Sequence, residues 1–205
     1  MVTKQSRSTP VMQSVLDAVV ERLLNGDETL IRIPEVCEAT GVNYGSVYHH
    51  FGSREGVIDA AYESMFIGLV REDIAAIRDI NETASSLSEY VEKMQPFMVA
   101  LSAGQERSNR RARRVRIVAA AMTRPDLRKL VGEIQSELTA DLTVLVQHGQ
   151  DQGWLRTNIP ANAMAVFFLA LVFGRNLDDV SSTPIAQAEW DVMVLTIFTE
   201  MLTRD

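Results

Sequence analysis

The sequence predicts an all-α fold: an N-terminal three-helix unit of helix-turn-helix plan joined to a larger C-terminal helical body. Two observations predict it. No stretch shows sustained period-2 alternation bounded by turn residues, whereas apolar residues recur at helical spacing almost throughout. Pro, Asn, Ser and Gly also fall where helix starts and stops are needed. The chain has 205 residues, 46% of them apolar and 23% charged, enough to bury a core and far from the composition of disordered chains. The expected division is a mobile tail over 1–8, a helix-turn-helix domain over 9–53, and a body over 54–205 that starts with a long connecting helix.

Thr9 and Pro10 read as a cap and a first helical residue, followed by Met12, Val15, Leu16, Val19 and Leu23 on one face until Gly26 ends the first helix. Pro34 opens a short second helix, and Gly41 is suited to the left-handed conformation just past its end. Asn43 caps a third helix that Gly52 and Ser53 stop, and Ser53 caps a fourth from Arg54 to about Arg78. Further helices are expected at about 83–103, 107–123, 125–151, 161–178 and 184–203, with Pro125, Pro160 and Pro184 marking starts and Pro96 kinking or splitting the fifth.

Several functional classes find no support. The first 30 residues lack the basic start, apolar stretch and cleavage site of a secretory signal, so a cytoplasmic location is expected. The longest apolar run, 163–174, is shorter than the roughly 20 residues of a membrane span and reads as a buried helix. A single cysteine, Cys37, excludes an internal disulfide and reads as a small buried hydrophobe, with a redox role as the alternative. There is no phosphate-cradling glycine loop and no nucleophile with a base; His49 and His50 are adjacent, not the i, i+4 pair of a helical metal site. No enzyme, metal site, cofactor or membrane partner is expected.

The stretch 41–54, GVNYGSVYHHFGSR, holds no acid in a chain of net charge -7. At 100° per residue Val47 and Phe51 point together while Gly45, Ser46 and His49 lie away from them, so one face packs and the other is presented. A presented face free of carboxylates suits approach to a polyanion. Gly45 lets the backbone come close, Ser46 and His49 reach base edges or phosphates, and the hydroxyls of Tyr44 and Tyr48 reach backbone oxygens. Arg54 at the next helix start adds a cation beside an anion-binding helix N-terminus. Tyrosines packed on Phe51 and solvated histidines are the plainer alternative. Net charge gives no support, because residues 1–56 hold five Lys or Arg against seven Asp or Glu. Modest non-specific affinity and a shallow salt dependence follow.

On these residues the segment resembles the DNA-binding domain of the TetR family of bacterial repressors. The resemblance rests on Val36-Cys37, Gly41-Val42-Asn43, Tyr48-His49-His50-Phe51 and Ser53-Arg54-Glu55. It implies that Tyr44, Gly45, Ser46, Tyr48, His49 and His50 lie at or near the major groove, with Arg54 on phosphate. Arg32 and Pro34, at the entry to the second helix, depart from the family pattern and join the candidate contacts. The implied function is that of a sequence-specific transcriptional regulator, a repressor released from a palindromic operator by a small-molecule effector. A helical ligand- or partner-binding protein without a DNA role is the rival reading.

In the body, RSNRRARRVR carries six arginines between 107 and 116, and Arg107, Arg110, Arg111 and Arg114 share a helical face. Three readings stand: a solvated face or ion pairs with acids such as Glu72 and Asp73, extra DNA-phosphate contacts, or an anionic effector. Phe66, Leu69, Met94, Phe97, Met98, Leu101, Val118 and Met122 are core residues or the lining of an effector pocket around the Pro96 kink. Phe168, Leu171 and Val172, with Trp190, Val194, Ile197, Phe198 and Met201, exceed the apolar surface one small body needs and point to a homodimer; completion of the monomer core is the alternative.

Overall fold

The computed structural model describes residues 10–26 and 28–202, and of Val70 the backbone alone. The expected tail over 1–8 and the Thr9 cap lie outside the described residues. Helix α1 (Pro10–Asn25) buries the five apolar residues that its spacing aligned, Met12, Val15, Leu16, Val19 and Leu23. A 3-10 turn, Glu28–Leu30, leads to α2 (Ile33–Thr40), which ends at Gly41 with φ 68°, the left-handed conformation that glycine adopts without penalty. Asn43 Oδ1 accepts from the Gly45 backbone at 2.8 Å and so starts α3 (Tyr44–Phe51). Val36, Cys37, Val42 and Val47 close a small core against α1 and the next helix.

Helix α4 (Arg54–Thr83) runs for 30 residues, about 45 Å at 1.5 Å per residue. Ser53 Oγ caps it by accepting from Gly56 N at 3.0 Å. The helix passes the expected end at Arg78 because Asn81 does not turn its side chain on the local backbone; its Nδ2 donates 2.9 Å to Leu145 O on a neighbouring helix. The remaining helices are α5 (Leu87–Ala100), α6 (Gly104–Thr123), α7 (Pro125–Asp151), α8 (Ala161–Gly174), a four-residue α9 (Asn176–Asp179) and α10 (Gln187–Met201). Helix α4 spans both units, packing on α1 at one end and on α5, α6 and α7 along the body, while α7 packs on α8 and α10 on α5. Among the described residues there is no strand; an isolated antiparallel bridge joins Leu155 to Leu202.

Other boundaries also differ from expectation. Helix α5 starts at Leu87, not 83, because Ser86 caps it and Glu89 binds back to the Ser85 backbone N–H and hydroxyl at 2.7 and 2.6 Å. It continues through the exposed Pro96 without splitting. The single helix expected over 161–178 is interrupted after Gly174 by Arg175, whose backbone stays right-handed helical (φ -58°, ψ -19°), and α9 is fixed by a two-bond pair between Arg111 and Asp179 at 2.6 and 2.7 Å. Pro184 lies in a loop before α10 and does not start it.

The run 163–174 is not buried as the sequence reading held. Met164 and Ala165 face the core, whereas Val166 and Phe167 are exposed. By length and composition Ala161–Asp179 is apolar enough to cross a membrane, but the chain breaks there at Gly174. Helix α10 divides likewise: Val194 and Phe198 are buried, Val192 and Met193 are exposed.

Candidate functional site

Helix α3 buries Val47 completely and presents Tyr44, Gly45, Ser46, His49 and His50 to solvent, with Tyr48 half-buried between the two faces. The helix is held from below by one fully buried valine and from its start by the Asn43 cap. Tyr44, 47% exposed, stacks on Tyr48 with ring centroids 4.5 Å apart, and its hydrogen bond is the main cause that raises the Tyr48 pKa. The two rings are tilted by 32° to each other and pack as a pair. His50 meets Phe51 edge-on at 4.6 Å, so its ring is oriented by the residue that anchors the helix end. Arg32 and Pro34 are exposed at the start of α2.

Arg54, placed on phosphate by the resemblance, has internal partners in the structure. Its Nε donates to Ile31 O at 3.0 Å and its Nη2 donates to Glu28 O, so its guanidinium ties the 3-10 turn to the start of α4. Sequence reasoning also missed Gly56. A Cβ there would sit 2.0 Å from Phe51 O, an impossible contact, so the turn between α3 and α4 closes only on a residue without a side chain. A glycine three residues after a capping serine, inside a helix, is the signal that could have shown it.

A second site lies in the body. A cavity of about 110 Å³ is enclosed by α4, α5, α6, α7, α8 and α10. Leu69, Met94, Met98 and Leu101 line it as expected. Phe66, Phe97, Val118 and Met122 are not among its lining residues: Phe66 is buried in the core beneath Arg114, and Met122, 65% exposed, projects from the far end of α6. Phe168, Val172 and Phe198, expected at a dimer interface, line the cavity. Leu171, Trp190, Ile197 and Met201 are half-buried.

All four arginines of the shared face line the same cavity. Arg107 pairs with Asp73 at 2.7 Å, and Arg110 donates to Leu69 O at 2.6 Å and to the exposed Glu72 at 3.2 Å. The ion-pair reading of the cluster therefore holds for these two. Arg111, 5% exposed, is committed to Asp179, whose pKa is lowered chiefly by that hydrogen bond. Burial lowers the Arg114 pKa; its Nη2 donates to Gln135 Oε1 at 2.6 Å.

Helix α6 also grips the N-terminal unit. Arg116 Nη1 donates to Leu23 O at 2.5 Å and Gly26 O at 3.3 Å, and Arg124, just past the helix end, pairs with Glu28 at 3.0 Å and Asp59 at 3.3 Å. Glu28 also accepts from Tyr62 Oη at 3.0 Å; burial first, then the Glu28 charge, pushes the Tyr62 pKa up to about 12. None of these contacts was read from the sequence, because a cation's partner 93 residues away leaves no local pattern.

No group of three or more His, Cys, Asp or Glu suited to a metal occurs among the described residues.

Comparison with known proteins agrees with this layout. Residues 31–61 match the model of "Bacterial regulatory proteins, tetR family", the segment from the end of the 3-10 turn through α3 into α4. The chain is 28% identical over 137 residues to the HTH-type transcriptional repressor AcnR of Corynebacterium efficiens, an alignment covering 67% of this chain and 64% of that protein. It is 21% identical over 187 residues to the HTH-type transcriptional regulator UidR of Escherichia coli, covering 91% and 90% of the two chains. The crystal structure of a TetR-family transcriptional regulator from Cytophaga hutchinsonii shares the fold, with a TM-score of 0.71 at 16% identity over 98% of this chain and 100% of that one. The family model falls on the helix-turn-helix segment, and the structural likeness spans the whole chain: the chain carries a DNA-binding segment of the TetR-family type and shares the fold of TetR-family regulators.

Proposed function

We propose that this protein is a sequence-specific DNA-binding transcriptional regulator, a repressor that leaves a palindromic operator when a small-molecule effector fills the cavity of the body. The observation that carries the reading is the exposed, acid-free face of α3, with Tyr44, Ser46, His49 and His50 outward over a buried Val47. A rigid short helix with hydroxyl and imidazole groups outward fits the major groove, where such groups read base edges and phosphates. Gly45 keeps the N-terminal turn low, and Arg32 and Pro34 flank it.

Two copies fit the reading better than one. Val166 and Phe167 on α8 and Val192 and Met193 on α10 leave apolar surface exposed, and buried donors of Arg175 and Trp190 nearby lack acceptors. A twofold dimer through these helices covers both and matches a palindromic site. Effector control requires a ligand that favours the state unable to bind DNA, since equal affinity for both states shifts nothing.

Selection of duplexes from a random pool by the purified protein tests the reading. The expected result is a palindromic site bound about a thousandfold or more above non-specific DNA. No enrichment at permissive salt, with a folded and dimeric protein, would favour the rival reading of a ligand- or partner-binding body.

A further inference from the structure

The cavity in the body has different chemistry at two places along α4. Near Asp73 it is lined by four arginines, and three of them are accounted for by Asp73, Glu72, Asp179 and backbone carbonyls. Arg114 is the exception. Its one hydrogen-bond partner is the neutral Gln135, and its guanidinium lies 5.4 and 5.7 Å from the ring centres of Phe66 and Phe173. No carboxylate pairs with it among the described residues. Arginine stays charged in proteins, and Asp73, whose carboxylate acts on it from a distance, is already paired with Arg107; this is a cation held against aromatic faces with no carboxylate of its own, a state that an incoming anion relieves.

Eight residues further along α4, about 12 Å by helical rise, stands Asn81. Its Nδ2 is used on Leu145 O, while its Oδ1 is buried without a donor and Asn81 lines the same cavity. A buried acceptor left unmade is costly, and a ligand hydroxyl satisfies it. Between these points the wall is apolar, formed by Ile74 and Ile77 of α4 with Met94 and Met98 of α5.

We infer that the cavity takes an amphipathic carboxylate: the anionic head on Arg114 with Arg110 beside it, an apolar body along Ile74, Ile77 and Met98, and a terminal hydroxyl donating to Asn81 Oδ1. The inference rests on the cavity being the effector site. Its test is therefore made without DNA.

Calorimetric titration of the full chain with decanoate, decanol and ω-hydroxydecanoate reads the three parts separately. Decanoate is expected to bind about tenfold or more tightly than decanol, because a hydrogen bond to a charged group outweighs a neutral one. The ω-hydroxy acid is expected to bind severalfold more tightly than decanoate. Arg114→Gln should cut decanoate affinity about tenfold and leave decanol unchanged, with melting of the ligand-free variant showing that it is folded. If that variant does not fold, the decanoate to decanol ratio of the unaltered chain decides. Decanol binding as tightly as decanoate overturns the anionic head, and decanoate binding as tightly as its hydroxylated form overturns the role of Asn81. Tight carboxylate binding that leaves a selected operator occupied would remove the effector reading and leave the ligand chemistry standing.

Discussion

Arg116 Nη1 lies 2.5 Å from the carbonyl oxygen of Leu23, so a charged donor of the body holds the last turn of the N-terminal unit's first helix. Helix α6, which carries Arg116, lines the cavity two residues earlier, at Arg114. Removing the grip by Arg116→Ala should cost about 1 kcal/mol, below the usual range for a charge-assisted bond because Arg116 is exposed. Urea unfolding followed by circular dichroism measures it; an unchanged midpoint would show that the contact contributes nothing.

Gly56→Ala places a Cβ 2.0 Å from Phe51 O, and neither atom belongs to a flexible side chain. The turn between α3 and α4 must then open. A loss of about 3 kcal/mol is expected in the N-terminal unit, with operator binding lost and the dimer retained. Gel-shift and sedimentation measurements on the same sample separate these outcomes.

Tyr44→Ala and His49→Ala remove exposed groups from the presented face of α3 and leave Val47 in place. Each should weaken operator binding by about 1–2 kcal/mol without moving the melting temperature. Unchanged affinity in both would take α3 out of the groove.

Phe167→Asp puts a carboxylate on an aromatic position that is 42% exposed in the single chain. In a dimer formed through α8 and α10 that charge is desolvated, so sedimentation should fall to the 22.8 kDa monomer at micromolar concentration. A dimer that persists would move the interface elsewhere.

The Arg111–Asp179 pair sets an acid limit. Asp179 has a lowered pKa in the fold, mainly because of the Arg111 hydrogen bond. A carboxylate depressed by folding adds stability above its unfolded pKa of about 3.9, and that stability is lost as pH falls through the folded value. Asp179→Asn should therefore narrow the gap to the unaltered protein as pH drops below about 4, in melts taken over an acidic series.

The helices and the helix-turn-helix plan were legible because both rest on local signals. Pro10, Gly41, Asn43 and Ser53 act on their own backbone, and Val47 and Phe51 declare a face by spacing alone. The misreadings share one cause. The fourth helix was expected to end near Arg78 because the partner that carries it on, Leu145 O against Asn81, lies on another helix, and the bonds of Arg54 to Glu28 O and Ile31 O are invisible at its position. The cavity was half legible. Met94 and Met98 of α5, Leu69 of α4 and Leu101 were read as lining it, but Phe168 and Phe198 reach it from helices whose outer faces carried the stronger apolar signal.

Tyr90 lines the cavity, and its ring stacks on Trp154 at 4.9 Å. The indole thus stands one ring behind the ligand space, while the other tryptophan, Trp190, lies under Arg175 at 4.7 Å. Intrinsic fluorescence, with Trp190→Phe to silence the second emitter, is therefore a built-in optical gauge of occupancy: the molecule needs no attached dye to report when its cavity fills.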